Sequence, residues 1–395
     1  MNILVAMDSL KGSLSSTDAN KAVAEGFFKA NSSFKVQTVP IADGGEGTVE
    51  ALVLATNGRF IETVVTGPLG QPVKAKYGIL GDRTTAVIEI AEACGLPLVP
   101  EAKRNPLITT SFGVGEMIVE AVEKGCQNFI IGLGGSTTND AGVGMLQALG
   151  YRFLNKEGFD IGYGGAELKN IAKIDSSSVP EKVRTARFRV ACDVHNPLYG
   201  KNGAAYIFGP QKGATAEMIN ELDDGLRCFA NVVLEQLGVD LQHISGAGAA
   251  GGLGAAFAGF LQVKLESGVG LILDITSLEK KLQGVDLVVT GEGKLDGQTS
   301  MGKAPAGIAS MASKHGVPVI ALAGDISDGD SSLHESGITA YFTIVSGPVE
   351  LKVAMDPEVT RLNMKRTAEQ IGRLLCLSTM HGDGSHASET SINEK

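Results

Sequence analysis

Glu292, Asp296 and Lys303 stand close together in the stretch VDLVVTGEGKLDGQTSMGKAPA, Val285 to Ala306. Glycines surround these charged groups, and glycine lets a backbone approach a ligand closely. A lysine beside exposed backbone N–H groups at a helix start suits a phosphate. Gly297 to Lys303, with Gly302 before the lysine, almost spells the phosphate-binding G-x-x-x-x-G-K loop. Ala304, however, stands where that loop needs a Ser or Thr to hold Mg²⁺. Gly291, Gly293 and Gly297 also miss the dinucleotide fingerprint G-x-G-x-x-G by one residue. The chemistry indicated is phosphate handling without a standard motif.

Elements must bring these groups to one point. The β-branched run Val285 to Val289 predicts a buried parallel strand that stops at Thr290 and opens into a glycine-rich loop. Pro305 predicts a helix start just after Lys303. The same grammar opens the chain: a strand over Asn2 to Met7, a polar loop with Asp8, Ser9 and Lys11, and a helix over about 16–30 capped by Ser15. A strand over Lys35 to Pro40 follows, then a tight turn from Asp43 to Gly47 and a helix over Thr48 to Thr56. From Arg59 to about Ala91 short strands alternate with Pro/Gly turns, as in an antiparallel meander. A strand at Asn128 to Ile131 then leads into GLGGSTTNDAGVG, where Gly134, Gly135, Ser136 and Asp140 form a second candidate anion site. Asp193 ends another short strand, ahead of an irregular loop holding Lys201 and Lys212, and strands near 317–323 and 339–344 with a helix over about 358–377 resume the first pattern.

These alternations predict an α/β protein: a doubly wound parallel-sheet domain, residues 1–60 and 283–377, interrupted by an inserted α/β domain with mixed or antiparallel strands, residues 61–282. Residues 378–395 have almost no apolar content and read as a disordered tail. At 395 residues and 43% hydrophobic content the chain can build more than one core. Its 52 glycines are roughly twice ordinary usage and cluster in loops. A net charge of -10 with no Lys/Arg run argues against nucleic acid or an anionic membrane surface as partner. Five cysteines, odd in number and never in C-x-x-C spacing, fit a reducing cytoplasm and no zinc site. The N-terminus carries no signal-peptide pattern, and the uncharged stretch Ile244 to Val263 is too rich in Gly and Ala for a membrane span. Scattered histidines and the absence of G-x-S-x-G leave nucleophilic hydrolase chemistry unsupported.

The runs DSLKGS (8–13), ADGGEGT (42–48), GLGGSTTNDAG (132–142), FGPQKGA (208–214), GAGAAGGLG (246–254), GEGKLDGQT (291–299) and GKAP (302–305) resemble the bacterial type 1 glycerate kinases, in order, over residues 1 to about 376. Met7, Leu10, Ala141 and Lys294 depart from the usual pattern, but no carboxylate is lost and Lys303 is kept. The resemblance implies a flavodoxin-like domain with a second α/β domain inserted, and transfer of the γ-phosphoryl group of ATP to D-glycerate with Mg²⁺, 2-phosphoglycerate being the favoured product. On that reading Lys11, Asp193, Asp296 and Lys303 are the expected catalytic residues. Gly291, Gly293, Gly297, Gly302, Gly134, Gly135 and Ser136 would line the nucleotide, Ser9, Asp43, Asp140 and Lys212 the glycerate, and Glu292 with Asp296 the metal. Asp193 is the expected partner of the attacking hydroxyl. A nicotinamide-dependent hydroxy-acid dehydrogenase and a catalytically silent metabolite sensor are the alternatives. The oligomeric state is open, a homo-oligomer included.

Overall fold

The computed structural model describes residues 1–300, 303–327 and 331–380. It divides the chain into two compact units, residues 1–41 with 277–395 and residues 42–276.

The first unit is built on a five-stranded, wholly parallel sheet in the order Ala340–Thr343, Val319–Ile326, Leu287–Leu295, Asn2–Met7, Lys35–Thr38. This is the flavodoxin-like order, in which the first strand lies beside the third and the connections diverge between them. Asn2–Met7 is buried from Ile3 onward, as an interior parallel strand must be. Its turn into the helix Ser16–Ala30 is fixed by Ser15, whose hydroxyl accepts the Asp18 N–H at 3.1 Å. That helix packs on the terminal helix Pro357–Met380. The contact is close at Gly26, where a Cβ would lie 2.3 Å from the Lys365 carbonyl oxygen. Ile3, Val5, Phe27, Val289, Leu322 and Met364 make the core between sheet and helices.

One strand departs from the sequence reading. Instead of stopping at Val289, it runs over Leu287–Leu295, straight through Gly291, Glu292 and Gly293. Gly291 pairs with Met7 on one side and Leu322 on the other, and pairing with the neighbouring strand continues to Leu295 and Ile326. The flanking strands supply partners for an extended backbone that glycine alone would not hold straight. A Cβ at Gly291 would meet the Leu322 carbonyl oxygen at 1.9 Å.

The second unit carries a six-stranded sheet in the order Leu265–Glu266, Arg187–Ala191, Asn128–Gly132, Thr85–Glu89, Pro72–Ile79, Arg59–Thr66. Pairing is antiparallel through the three strands of residues 59–89, as the meander reading has it, and parallel from Thr85–Glu89 onward. A small antiparallel pair, Arg152–Leu154 with Lys173–Asp175, stands apart. The helix Thr48–Ala55 belongs here rather than to the first unit, because it packs on Pro72–Ile79 and Thr85–Glu89. The division thus falls after Ile41 and after Thr276, not after 60 and 282. At the C-terminus the helix continues to Met380, which shortens the expected tail; residues 381–395 lie outside the described residues. Among the described residues no helix is long and apolar enough to cross a membrane.

Candidate active site

In the first unit the charged residues gather where the first and third strands of the sheet end. Leu287–Leu295 delivers Glu292, which is largely buried. The short helix Gly297–Ser300 follows, and the helix Ala304–Lys314 begins after Lys303, with proline in its first turn. Lys303 Nζ lies 3.7 Å from Glu292 Oε2 and 3.9 Å from Asp296 Oδ1. One cation therefore spans two carboxylates at a helix N-terminus. Thr299, which sequence reasoning passed over, organises them: its buried hydroxyl donates to Glu292 Oε1 at 2.7 Å and accepts the Asp296 N–H at 3.1 Å. A threonine three residues after an aspartate in DGQT was the available signal. Gly297 opens the short helix at an exposed position, with nothing that a Cβ would strike.

The first loop lies alongside. The Asp8 N–H donates to the Gly291 carbonyl at 2.9 Å, and Asp8 Oδ1 accepts the Ser9 N–H. Leu10 and Leu14 close a tight turn around Lys11, whose backbone nitrogen lies 3.8 Å from the point a Cβ on Gly293 would occupy. Ser9, Lys11, Gly293, Glu292, Asp296 and Lys303 thus share one end of one sheet. Gly291 does not line this site, being wedged between strands, and Gly302 lies outside the described residues.

In the second unit Asp193 follows the strand Arg187–Ala191 and accepts the Gly268 N–H at 2.9 Å, at the start of the helix Gly268–Ile275. Burial pushes its carboxyl above the usual range; the Gly268 N–H works against this, nearby Asp43 adds to it, and His195 and Ser267 oppose it. His195 Nδ1 in turn meets Ser245 Oγ at 3.1 Å. Asp43 sits in a turn held by its own Oδ1, which accepts the Gly45 N–H at 3.0 Å. Gly268 comes so near this turn that a Cβ on it would lie 2.1 Å from the Asp43 carbonyl oxygen. Asp43 and Asp193 are therefore neighbours, a juxtaposition that no local spacing in the sequence discloses.

The loop after Asn128–Gly132 behaves differently from its expected role. Gly134 and Gly135 are accessible and Gly135 takes φ +67, its carbonyl accepting the Leu96 N–H. Ser136 is buried. Asp140, 1% exposed, accepts the N–H and hydroxyl of Ser111 at 2.8 Å each and the N–H groups of Gly142 and Gly144. Burial raises its pKa. Lys212, 2% exposed, donates to Ser136 Oγ at 3.0 Å and to the Thr138 carbonyl at 2.6 Å. Burial lowers its pKa to about 8, against the pull of Cys94 and Asp140. Both residues brace the loop, Asp140 through four N–H and hydroxyl donors and Lys212 through two of the three N–H groups of its ammonium.

Magnesium is implied by the expected chemistry, and the donor set can be tested against it. Among the described residues no group of three or more His, Cys, Asp or Glu gathers that could hold a metal ion. Mg²⁺ commonly takes only one or two carboxylates and completes its shell with phosphate and water. Glu292 and Asp296, bridged by Lys303 and tied by Thr299, fit that mode.

Relatives and solved structures resemble most of the chain. A model of the glycerate kinase family matches residues 3–376. A glycerate kinase of Bacillus subtilis (strain 168) is 48% identical over 378 residues, 96% of this chain and 98% of its own. A glycerate 2-kinase of Escherichia coli (strain K12) is 48% identical over 346 residues, 88% and 91% of the two chains. The crystal structure of a Salmonella typhimurium LT2 protein provisionally named glycerate kinase 2 superposes with a TM-score of 0.88 at 43% identity, covering 96% of this chain and 99% of that one. Neither the dehydrogenase nor the silent sensor finds support among them. With its parallel-sheet unit, its carboxylate and lysine cluster and a family match over nearly its full length, the chain belongs to the glycerate kinase family.

Proposed function

We propose that this protein is an ATP-dependent kinase that phosphorylates D-glycerate, with 2-phosphoglycerate as the product and Mg²⁺ as the accompanying ion. The observation that carries the reading is Lys303 held between Glu292 and Asp296 at a helix start, in a chain of this family. An ammonium group and helix N–H donors meet phosphate oxygens, and the carboxylates are the residues that would hold the metal. Bound magnesium supplies neutralisation of phosphate charge. Lys11, on the neighbouring loop, is a second cation for the transferring phosphoryl group or the glycerate carboxylate, with Ser9 beside it. Gly293 and Gly297 offer backbone N–H groups to the nucleotide.

Asp193 is the partner of the attacking hydroxyl. Its raised pKa makes it a better proton acceptor than a solvated aspartate, and Asp43 is its neighbour on the glycerate side. The name of the Escherichia coli relative, glycerate 2-kinase, supports the 2-phosphate product. Five cysteines, all outside any disulfide, favour a reducing compartment, the cytoplasm. A coupled assay with ATP, Mg²⁺ and D-glycerate tests the reading: glycerate-dependent ADP is expected, and phosphorus NMR of the product should give the 2-phosphate. No glycerate-dependent ADP rejects the function, and a 3-phosphate signal rejects the regiochemistry.

A further inference from the structure

Glu89 was not among the residues the sequence singled out, and its surroundings give it a task. It ends the strand Thr85–Glu89, opposite Gly132 in the adjacent strand. It is 9% exposed, and its Oε1 accepts the N–H of Val49 at 2.8 Å. Val49 belongs to the first turn of Thr48–Ala55, whose own cap position is Gly47 at φ +91, with no side chain to serve the unpaired donors. A helix normally meets those donors with a Ser, Thr, Asp or Asn at its own start. Here the carboxylate arrives from another strand.

The turn leading into that helix is confined on further sides. A Cβ on Gly132 would lie 2.6 Å from the Gly44 carbonyl oxygen, and one on Gly44 would lie 2.7 Å from Gly268 Cα. Gly268 is the residue whose N–H Asp193 accepts. Glu89, Thr48–Ala55, the Asp43 turn, Gly268 and Asp193 therefore form one continuous set of contacts within residues 42–276.

We propose that Glu89 is a positioning residue for the glycerate-handling groups: by capping Thr48–Ala55 from a neighbouring strand it fixes the turn that carries Asp43 beside Asp193. The inference rests on the glycerate kinase reading. Ionised, Glu89 gives Val49 a charge-assisted acceptor and complements the helix dipole; protonated, it gives a weaker one. Burial raises its pKa to about 7, with the Val49 N–H and Lys76 opposing and Glu92 and Glu46 reinforcing the rise. The change of state thus falls near neutrality.

Two variants test this. Glu89→Ala removes the acceptor and should lower kcat/KM for glycerate by about tenfold or more, the size of a lost hydrogen bond to a charged group, with KM for ATP within about twofold of wild type. Glu89→Gln keeps an acceptor oxygen without the charge. It should recover much of the loss, lack the inflection near pH 7 expected of wild type in kcat/KM for glycerate, and exchange its amides at 43–49 faster while those of the helix Phe112–Glu123 are unchanged. If the alanine variant does not fold, the glutamine variant decides. A folded Glu89→Gln with the wild-type pH profile and wild-type exchange at 43–49 overturns the assignment. If wild type makes no glycerate-dependent ADP, the kinase reading fails by itself, and exchange at 43–49 in wild type and Glu89→Gln still decides whether Glu89 holds the turn.

Discussion

Asp193 has one carboxylate for two tasks, holding the Gly268 N–H and accepting a proton. Asparagine caps helices about as well as aspartate, so Asp193→Asn should keep the fold and lose the base. The expected result is a fall in kcat at the lower end of the 10² to 10⁴ range, since a loose phosphoryl transition state asks little of its base. Its Mg²⁺ dependence should be unchanged, whereas Asp296→Asn should need more Mg²⁺. Titrating both at saturating ATP and glycerate checks this, and the opposite pattern would exchange the two roles. Because burial raises Asp193, and the base works ionised, activity should fall on acidification at a pH above the ordinary carboxylate range. Lys212 is different, a cation whose burial costs stability. Its folded pKa of about 8 lies below that of an unfolded lysine. Between about pH 8 and 10.4 the unfolded chain therefore binds the extra proton, and stability should rise with pH there. Lys212→Met should abolish that rise and, near neutrality, strand Ser136 Oγ and the Thr138 carbonyl, at about 1–3 kcal/mol for each unsatisfied group; urea melts across pH give the answer. Glu292, Asp296 and Lys303 were legible in sequence because types and spacing are local. The bracing task of Asp140 and Lys212 was not, since their partners Ser111 and Ser136 lie 29 and 76 residues away.

Strands, helices and their junctions set where those groups stand. The helix starts at Ser16 and Ala304 were readable, because a capping serine and an early proline act within one turn. The end of the central strand was not. Thr290 to Gly293 reads as a loop by local composition, yet pairing from both neighbours keeps Leu287–Leu295 extended. Gly291 is where the two neighbours press hardest, and Gly291→Ala directs a methyl at a backbone oxygen rather than at a movable side chain. The loss should reach at least the about 1–3 kcal/mol typical of overpacking, read as a lower denaturation midpoint or loss of soluble protein. A variant within about 0.5 kcal/mol of wild type would mean that the strands can part at that point. Gly297→Ala, at an exposed position with nothing for a Cβ to strike, is the matched control.

Across the whole chain, the alternation of strand and helix disclosed an interrupted parallel-sheet protein, while the exact joints depended on packing that composition does not record. The helix Thr48–Ala55 is largely apolar whichever sheet it docks on; only its contacts with Pro72–Ile79 and Thr85–Glu89 assign it. Residues 42–276 hold their own sheet and core, and Gly44 and Gly268 bring the two ends of the segment into backbone contact. This segment expressed alone should fold with a single cooperative thermal transition and dispersed amide NMR signals. A non-cooperative melt would show that it depends on the rest of the chain. The first unit has the opposite character. Ile3 pairs with Leu287 and the Thr290 hydroxyl donates to the Ala6 carbonyl, 284 residues earlier. At bacterial and eukaryotic elongation speeds of about 5–20 residues per second, the opening strand leaves the ribosome roughly 15–55 s before its partner is made. During that interval Asn2–Met7 has only Lys35–Thr38 beside it and its other edge is unpaired, while the intervening segment has time to fold to completion. The order of synthesis thus leaves this enzyme's first strand with one edge open until the third strand is made, an edge that a chaperone can cover at birth.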